Sequence, residues 1–163
     1  MTSCESDQRL TVEVTVDGRR LRREVAPRTL LHDFLRTECG ATGVHVGCEH
    51  GVCGACTIRL DGRVTRSCLL FAVQADGADV RTVASQGTRE ALSPLQEAFR
   101  ERHALQCGFC TPGILVSAQA YLESGEEVSE RGVREMLSGH LCRCTGYAPI
   151  VEAVLDVAAA DAR

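Results

Sequence analysis

The spacing of the cysteines is the feature that most constrains how this chain can fold. The chain has ten cysteines in 163 residues, and eight of them fall into two spaced groups. The groups are Cys48, Cys53, Cys56 and Cys68, and Cys107, Cys110, Cys142 and Cys144. The four cysteines of each group are expected to converge on one site, so the two groups predict two separate sites.

The composition limits the classes of protein to consider. All 18 basic residues are arginine, and the net charge is −4, so the chain lacks the basic surplus of a nucleic-acid-binding protein and cannot use lysine chemistry. No apolar run approaches the roughly 18 residues of a membrane helix, and the first residues do not resemble a secretory signal. We therefore expect a cytoplasmic protein without a membrane span, in which clustered cysteines serve metal or redox chemistry.

The pattern of apolar residues changes near residue 84. Before it, apolar and polar residues alternate around Asp17-Gly18 and Asp61-Gly62, which is typical of β-hairpins. A helix capped by Thr29 is expected over 30–37, and a last strand over 80–83. After residue 92, apolar residues recur at helical spacing in segments that start near Ser93, Thr111, Ser129 and Thr145, the first of them reaching His103.

These patterns predict an α+β protein with two domains. Residues 1–84 are expected to form a small mixed sheet packed on one helix. Residues 85–163 are expected to form an all-α four-helix domain, and the polar stretch 84–92 is expected to link the two.

The first cysteine group has the C-x4-C-x2-C…C spacing of plant-type ferredoxins, which hold a 2Fe–2S cluster. The loop that carries Cys48, Cys53 and Cys56 is rich in small residues, so backbone N–H groups can approach the cluster sulfurs. Cys68 follows the second expected hairpin, which can return it to this loop.

The second cysteine group lies at expected helix starts. Cys110 precedes Thr111-Pro112, and Cys144 precedes Thr145-Gly146. The free N–H groups of helix N-termini suit an anionic iron–sulfur core. Spacing alone leaves a zinc site open, because zinc also accepts four thiolates.

Three segments resemble the small iron–sulfur subunit of the molybdenum hydroxylases, the superfamily of xanthine dehydrogenase, aldehyde oxidoreductase and carbon monoxide dehydrogenase. They are VGCEHGVCGACT at 46–57, QCGFCTPG at 106–113 and CRCTGY at 142–147, in the family's order. The resemblance extends over nearly the whole chain, from about Leu10 to about Ala158.

The resemblance implies a β-grasp, plant-ferredoxin-like domain followed by a four-helix domain, each with one 2Fe–2S cluster. All eight ligand positions are filled by the cysteines of the two groups. It also implies that Gln106 and Cys144 contact the pterin. No catalytic residue is expected in this chain.

The resemblance further implies an electron-transfer subunit of an oxidoreductase complex. Its partners would be a large molybdopterin subunit and a medium FAD subunit, in a dimer of heterotrimers. Electrons would pass from molybdenum through the helical-domain cluster and the ferredoxin-like cluster to FAD. An N-heterocycle or an aldehyde is the expected substrate. A carbon monoxide dehydrogenase, an aromatic acyl-thioester reductase and a free-standing ferredoxin remain alternatives.

The remaining cysteines and histidines are expected to have ordinary roles. Cys4 is expected near a frayed terminus, and Cys39 as a small apolar residue at a helix end. Solvated or capping roles are expected for His32, His103 and His140. His45 and His50 are expected to form hydrogen bonds in loops or to lie at an interface. Arg143 is expected to interact with the charge of a cluster, with a partner carboxylate or with solvent at a helix end.

Overall fold

A computed structural model describes residues 8–161. A mixed five-stranded sheet occupies the first half of these residues. Its strands are β1 (Leu10–Val16), β2 (Arg19–Val25), β3 (Thr57–Leu60), β4 (Arg63–Arg66) and β5 (Asp79–Arg81). The strand order is β2-β1-β5-β3-β4. β1 and β2 pair antiparallel, as do β3 and β4, whereas β5 runs parallel to β1 and antiparallel to β3.

Both expected hairpins are confirmed, and both turn at an Asp-Gly pair. Asp17 and Gly18 have φ of 48° and 81°, and Asp61 and Gly62 have φ of 48° and 79°. Two consecutive left-handed residues give the tight turn that matches the twist of paired strands. The second turn lets β4 run back beside β3, which returns the chain toward the cysteine loop.

The core of this half lies between the sheet and α1 (Leu31–Thr37). Val12, Val14 and Val16 are buried on one face of β1 because alternate side chains of a strand share a face. The expectation that Thr29 caps α1 is wrong. The N-cap is Leu30, whose extended backbone pairs with Phe71 and moves the helix start past Thr29.

Four helices follow in the second half: α2 (Pro94–Glu101), α3 (Thr111–Leu122), α4 (Glu130–Leu137) and α5 (Ala148–Asp161). The Ser93 hydroxyl accepts a hydrogen bond at the start of α2, and the Ser129 hydroxyl does so at the start of α4. α5 packs on α2 and α4, and α3 packs on α4 and on β3. The second apolar core therefore lies between these helices, while α3 joins them to the sheet.

Three expected boundaries shift in the structure. The expected last strand over 80–83 lies at β5, and a 3₁₀ turn at Val83–Ser85 follows it. α2 ends at Glu101 rather than reaching His103, whose left-handed φ of 51° is incompatible with a continuing helix. The α+β class is confirmed. Within residues 8–161, no helix is long and apolar enough to cross a membrane.

Candidate metal centres

The first cysteine group is gathered by a loop and a hairpin. Cys48, Cys53 and Cys56 lie between α1 and β3, and Cys68 lies in the 3₁₀ turn Ser67–Leu69 directly after β4. Since β3 and β4 run antiparallel, Cys68 returns to a position beside Cys56, where the two buried thiols interact. The structure thus brings together the cysteines of the ferredoxin-type spacing.

Backbone N–H groups surround the Cys48 sulfur. The N–H of Cys53 lies 3.3 Å from Cys48 Sγ. Hydrogen bonds from this N–H, and then from those of His50 and Val52, lower the pKa of the Cys48 thiol to about 6. These donors stabilise a negatively charged sulfur, as a bound iron–sulfur cluster requires.

The opposite side of the first site is apolar. Burial, and then the neighbouring Cys56 thiol, raises the pKa of the Cys68 thiol to about 11. Gly47 lies against the site, and a Cβ added there would be 3.1 Å from Cys53 Sγ. Glycine at position 47 therefore leaves room for the backbone to approach the sulfurs.

The second cysteine group also forms two pairs of thiols. The sulfurs of Cys107 and Cys144 lie 3.5 Å apart, and both residues are exposed. Cys110 is buried and interacts with Cys142. Burial, and then the Cys142 thiol, raises the pKa of the Cys110 thiol to about 12.

The two arms of the second site differ in their relation to the helices. Cys110 is the N-cap of α3, as expected. Cys144 is separated from α5 by the turn at 145–147, so it does not lie at a helix start. Within this turn the Thr145 hydroxyl lies 3.2 Å from Cys142 Sγ. Burial opposes ionisation of Cys142, but hydrogen bonds from Thr145 and from the Cys144 N–H outweigh it and lower the pKa.

Both halves of the chain match known protein families. Residues 14–93 match a family described as a 2Fe-2S iron-sulfur cluster binding domain, and residues 82–155 match one described as a 2Fe-2S binding domain. The nicotine 6-hydroxylase small subunit of Paenarthrobacter nicotinovorans is 54% identical over 156 residues, which cover 96% of this chain and 94% of that one. The chain belongs to the small iron–sulfur subunits of the molybdenum hydroxylases.

Two further relatives support the assignment of this chain as a small iron–sulfur subunit. Caffeine dehydrogenase subunit gamma of Pseudomonas sp. strain CBB1 is 52% identical over 149 residues, which cover 90% of this chain and 89% of the relative. The crystal structure of quinoline 2-oxidoreductase from Pseudomonas putida 86 matches with a TM-score of 0.90 at 47% identity, covering 96% of both chains. The similarity therefore includes both cysteine sites and the fold that carries them.

The small subunit presents the pterin-contact candidates on its surface. Gln106 and Cys144 are both exposed, beside Cys107. The exposed arm of the second site thus lies where a partner can reach it. Arg143 is also exposed.

Of the two cysteines outside the sites, the structure describes only Cys39. Cys39 is 6% exposed in the first core, and burial raises the pKa of its thiol to about 11. It is therefore the small apolar residue that the sequence predicts. Cys4 lies outside the described residues.

The expected roles of two histidines are wrong. His32 and His140 are 1% and 2% exposed, so neither is solvated. His32 lies on the face of α1 that packs into the first core, and His140 is held between the two halves. His103 is exposed as expected. His45 and His50 both form loop hydrogen bonds, to the carbonyls of Phe109 and Cys48.

Sequence reasoning also missed the residues that join the two sites. A Cβ on Gly113 would overlap the carbonyl oxygen of Gly54, so α3 touches the first cysteine loop. The Tyr147 hydroxyl accepts from the N–H of Cys142 at 2.8 Å and donates to the carbonyl of His140 at 3.0 Å. Glycine disfavours a helix, so a glycine in the first turn of a helix needs a reason. Close approach of another backbone is one such reason, and this signal could have identified Gly113.

Proposed function

We propose that this chain carries electrons one at a time through two 2Fe–2S clusters, from a molybdopterin centre on a large partner subunit to FAD on a medium one. Cys48, Cys53, Cys56 and Cys68 hold one cluster, and Cys107, Cys110, Cys142 and Cys144 hold the other. A bound 2Fe–2S cluster supplies reversible one-electron chemistry. The chain's own residues supply thiolates, hydrogen bonds to sulfur and a fixed separation between the sites.

The pairing of the thiols is the observation that carries this proposal. The interacting pairs are Cys48 with Cys53, Cys56 with Cys68, Cys107 with Cys144 and Cys110 with Cys142. A two-iron core needs two thiolates on each iron, and the pairs match that need.

A single zinc ion would instead require all four thiolates of a group around one point. The donor set is wholly sulfur, and backbone N–H groups point at Cys48. This arrangement supports the extended diiron core over zinc.

The exposure of the two sites supports an order of electron transfer. The exposed pair Cys107 and Cys144, with Gln106, would face the pterin, so the cluster that this pair helps to hold would be the first to receive the electron. The ferredoxin-like site would then pass it to FAD. Residues 1–84 and 85–163 are the two domains of this proposal, and a dimer of heterotrimers in the cytoplasm is its assembly.

An N-heterocycle is the proposed substrate of the complex. The relatives above are named for caffeine, nicotine and quinoline, which all contain a nitrogen heterocycle. This choice is made on the large subunit, so it does not depend on residues of this chain.

Alanine variants of the complex test the ligand assignment. Cys68→Ala should abolish the electron paramagnetic resonance (EPR) signal of one cluster, and Cys110→Ala that of the other. Cys39→Ala is the matched control, since it removes an equally buried thiol and should leave both signals. Retention of both signals in either ligand variant would overturn the assignment.

A further inference from the structure

The two cysteine sites meet at a contact between their backbones. The N–H of Leu141 donates to the carbonyl of Cys53, with an N–O distance of 2.9 Å. Leu141 immediately precedes Cys142 in the chain. One hydrogen bond and the adjoining backbone therefore connect a ligand of the first site with a ligand of the second.

A buried histidine lies beside this contact. His140 is 2% exposed, and its Nε2 shares a hydrogen bond of 2.8 Å with the Ser117 hydroxyl on α3. Its Nδ1 has no hydrogen-bond partner among residues 8–161 and lies where a Cβ on Gly54 would be. The ring therefore fills the space between α3 and the cysteine loop.

Neighbouring residues also hold the backbone on either side of this ring. Gly54 has φ of 79°, and a Cβ there would also crowd the carbonyl of Gly139. That carbonyl accepts from Arg66 at 2.6 Å, while the Tyr147 hydroxyl holds the carbonyl of His140. The segment that leads into Cys142 is thus fixed from three sides.

Burial of an unpaired ring nitrogen costs stability, and an apolar side chain of similar volume would avoid that cost. Packing alone therefore does not account for a histidine at this position. Unlike an apolar residue, His140 can form a hydrogen bond with Ser117, and this bond orients the ring against the backbone of residues 53–54.

We propose that His140 is a positioning residue that maintains the hydrogen bond between Leu141 and Cys53 and, through it, the rate of electron transfer between the two clusters. One electron leaves the helical-domain cluster, which is oxidised, and enters the ferredoxin-like cluster, which is reduced. No covalent bond forms or breaks. This inference rests on the proposed function.

A second contact between the sites offers an alternative route for the electron. The Phe109 ring, next to Cys110, stacks on His45 with centroids 5.0 Å apart. The ring would lie 3.3 Å from a Cβ on Gly47, which precedes Cys48. This route crosses a van der Waals gap, whereas the route through Leu141 stays on bonds and one hydrogen bond. Electron tunnelling decays more steeply through space than through bonds, which favours the Leu141 route.

Variants of the purified complex test this inference with three readouts. Iron and sulfide content and the two EPR signals establish that both clusters are present. The magnetic splitting between the reduced clusters reports their relative placement. Flash photoreduction followed by transient absorption gives the intercluster rate.

His140→Ala should lower the intercluster rate severalfold, because losing the ring lets the segment that carries Leu141 move and lengthens its hydrogen bond to Cys53. Its magnetic splitting should also change. His140→Gln can still bond to Ser117 and should keep most of the rate. The matched control is His32→Ala, which removes an equally buried histidine on α1 and should leave the rate unchanged.

Two further variants keep the inference falsifiable. If His140→Ala does not assemble, Ser117→Ala removes only the partner of Nε2 and should lower the rate in the same direction. Phe109→Leu should leave the rate unchanged. An unchanged rate in both His140→Ala and Ser117→Ala, or a loss in Phe109→Leu or His32→Ala as large as theirs, would overturn the inference. Absence of two 2Fe–2S signals in the unaltered complex would instead refute the proposed function.

Discussion

Gly113→Ala tests how tightly α3 is docked on the first cysteine loop. Gly113 lies in the first turn of α3, and a Cβ there would overlap the Gly54 carbonyl oxygen. It would also lie 3.2 Å from the Gly54 carbonyl carbon and 3.3 Å from the Ala55 carbonyl oxygen. All three obstacles are backbone atoms, so no side chain can rotate away to make room.

Two effects of opposite sign determine the result. Alanine is favoured over glycine inside a helix by about 1 kcal/mol. Overpacking a close contact costs typically about 1–3 kcal/mol, and the rigid backbone places this site near the upper end. We expect a net destabilisation of about 2 kcal/mol, which lowers the thermal midpoint by roughly 4–8 °C for a chain of this size.

Thermal unfolding of the cluster-loaded chain, followed by circular dichroism, measures this shift. Gly139→Ala is the matched control, because the added Cβ would lie 2.9 Å from Arg66 Nη2, the end of a flexible side chain. Its midpoint should fall by clearly less. A Gly113→Ala chain as stable as the original, or more stable, would refute the close docking, since helix propensity alone predicts that outcome.

Three further predictions concern residues outside the ligand sets. The Cys39 thiol, with a pKa raised by burial to about 11, should resist alkylation at neutral pH until the chain unfolds; mass spectrometry showing rapid labelling of the folded chain would contradict its burial. Tyr147→Phe removes the hydroxyl shared by Cys142 and His140 and should cost about 1–2 kcal/mol, so an unchanged thermal midpoint would contradict those bonds. Hydrogen bonds from Gln119 and then Arg59 hold the pKa of Glu123 below its usual 4.5, so this stabilisation is complete above that pH and is lost as the pH falls through the lower folded value. Glu123→Gln should therefore make the thermal midpoint less sensitive to acid below about pH 4.5, and an unchanged pH profile would refute the effect.

The hairpins and the first cysteine loop could be predicted because their determinants are local. Asp17-Gly18 specifies a turn that a two-residue loop requires, and the alternation of Val12, Val14 and Val16 specifies which face is buried. The spacing of Cys48, Cys53 and Cys56 likewise fits a single loop. For these features, neighbours in sequence are also neighbours in space.

The contact between the two halves could not be predicted in the same way. The ring of His140 forms its hydrogen bond with Ser117, which is 23 residues away along the chain, on α3. The start of α1 depends on the bridge from Leu30 to Phe71, about forty residues away along the chain. Burial of His140 and the boundary of α1 both follow from tertiary packing, which overrides local propensity.

The most direct test of the central claim is EPR spectroscopy of the dithionite-reduced complex, combined with metal and sulfide analysis. Two distinct 2Fe–2S signals of equal intensity are expected, with iron and sulfide in equal amounts. A single signal, or a colourless protein that contains zinc without iron or sulfide, would contradict it.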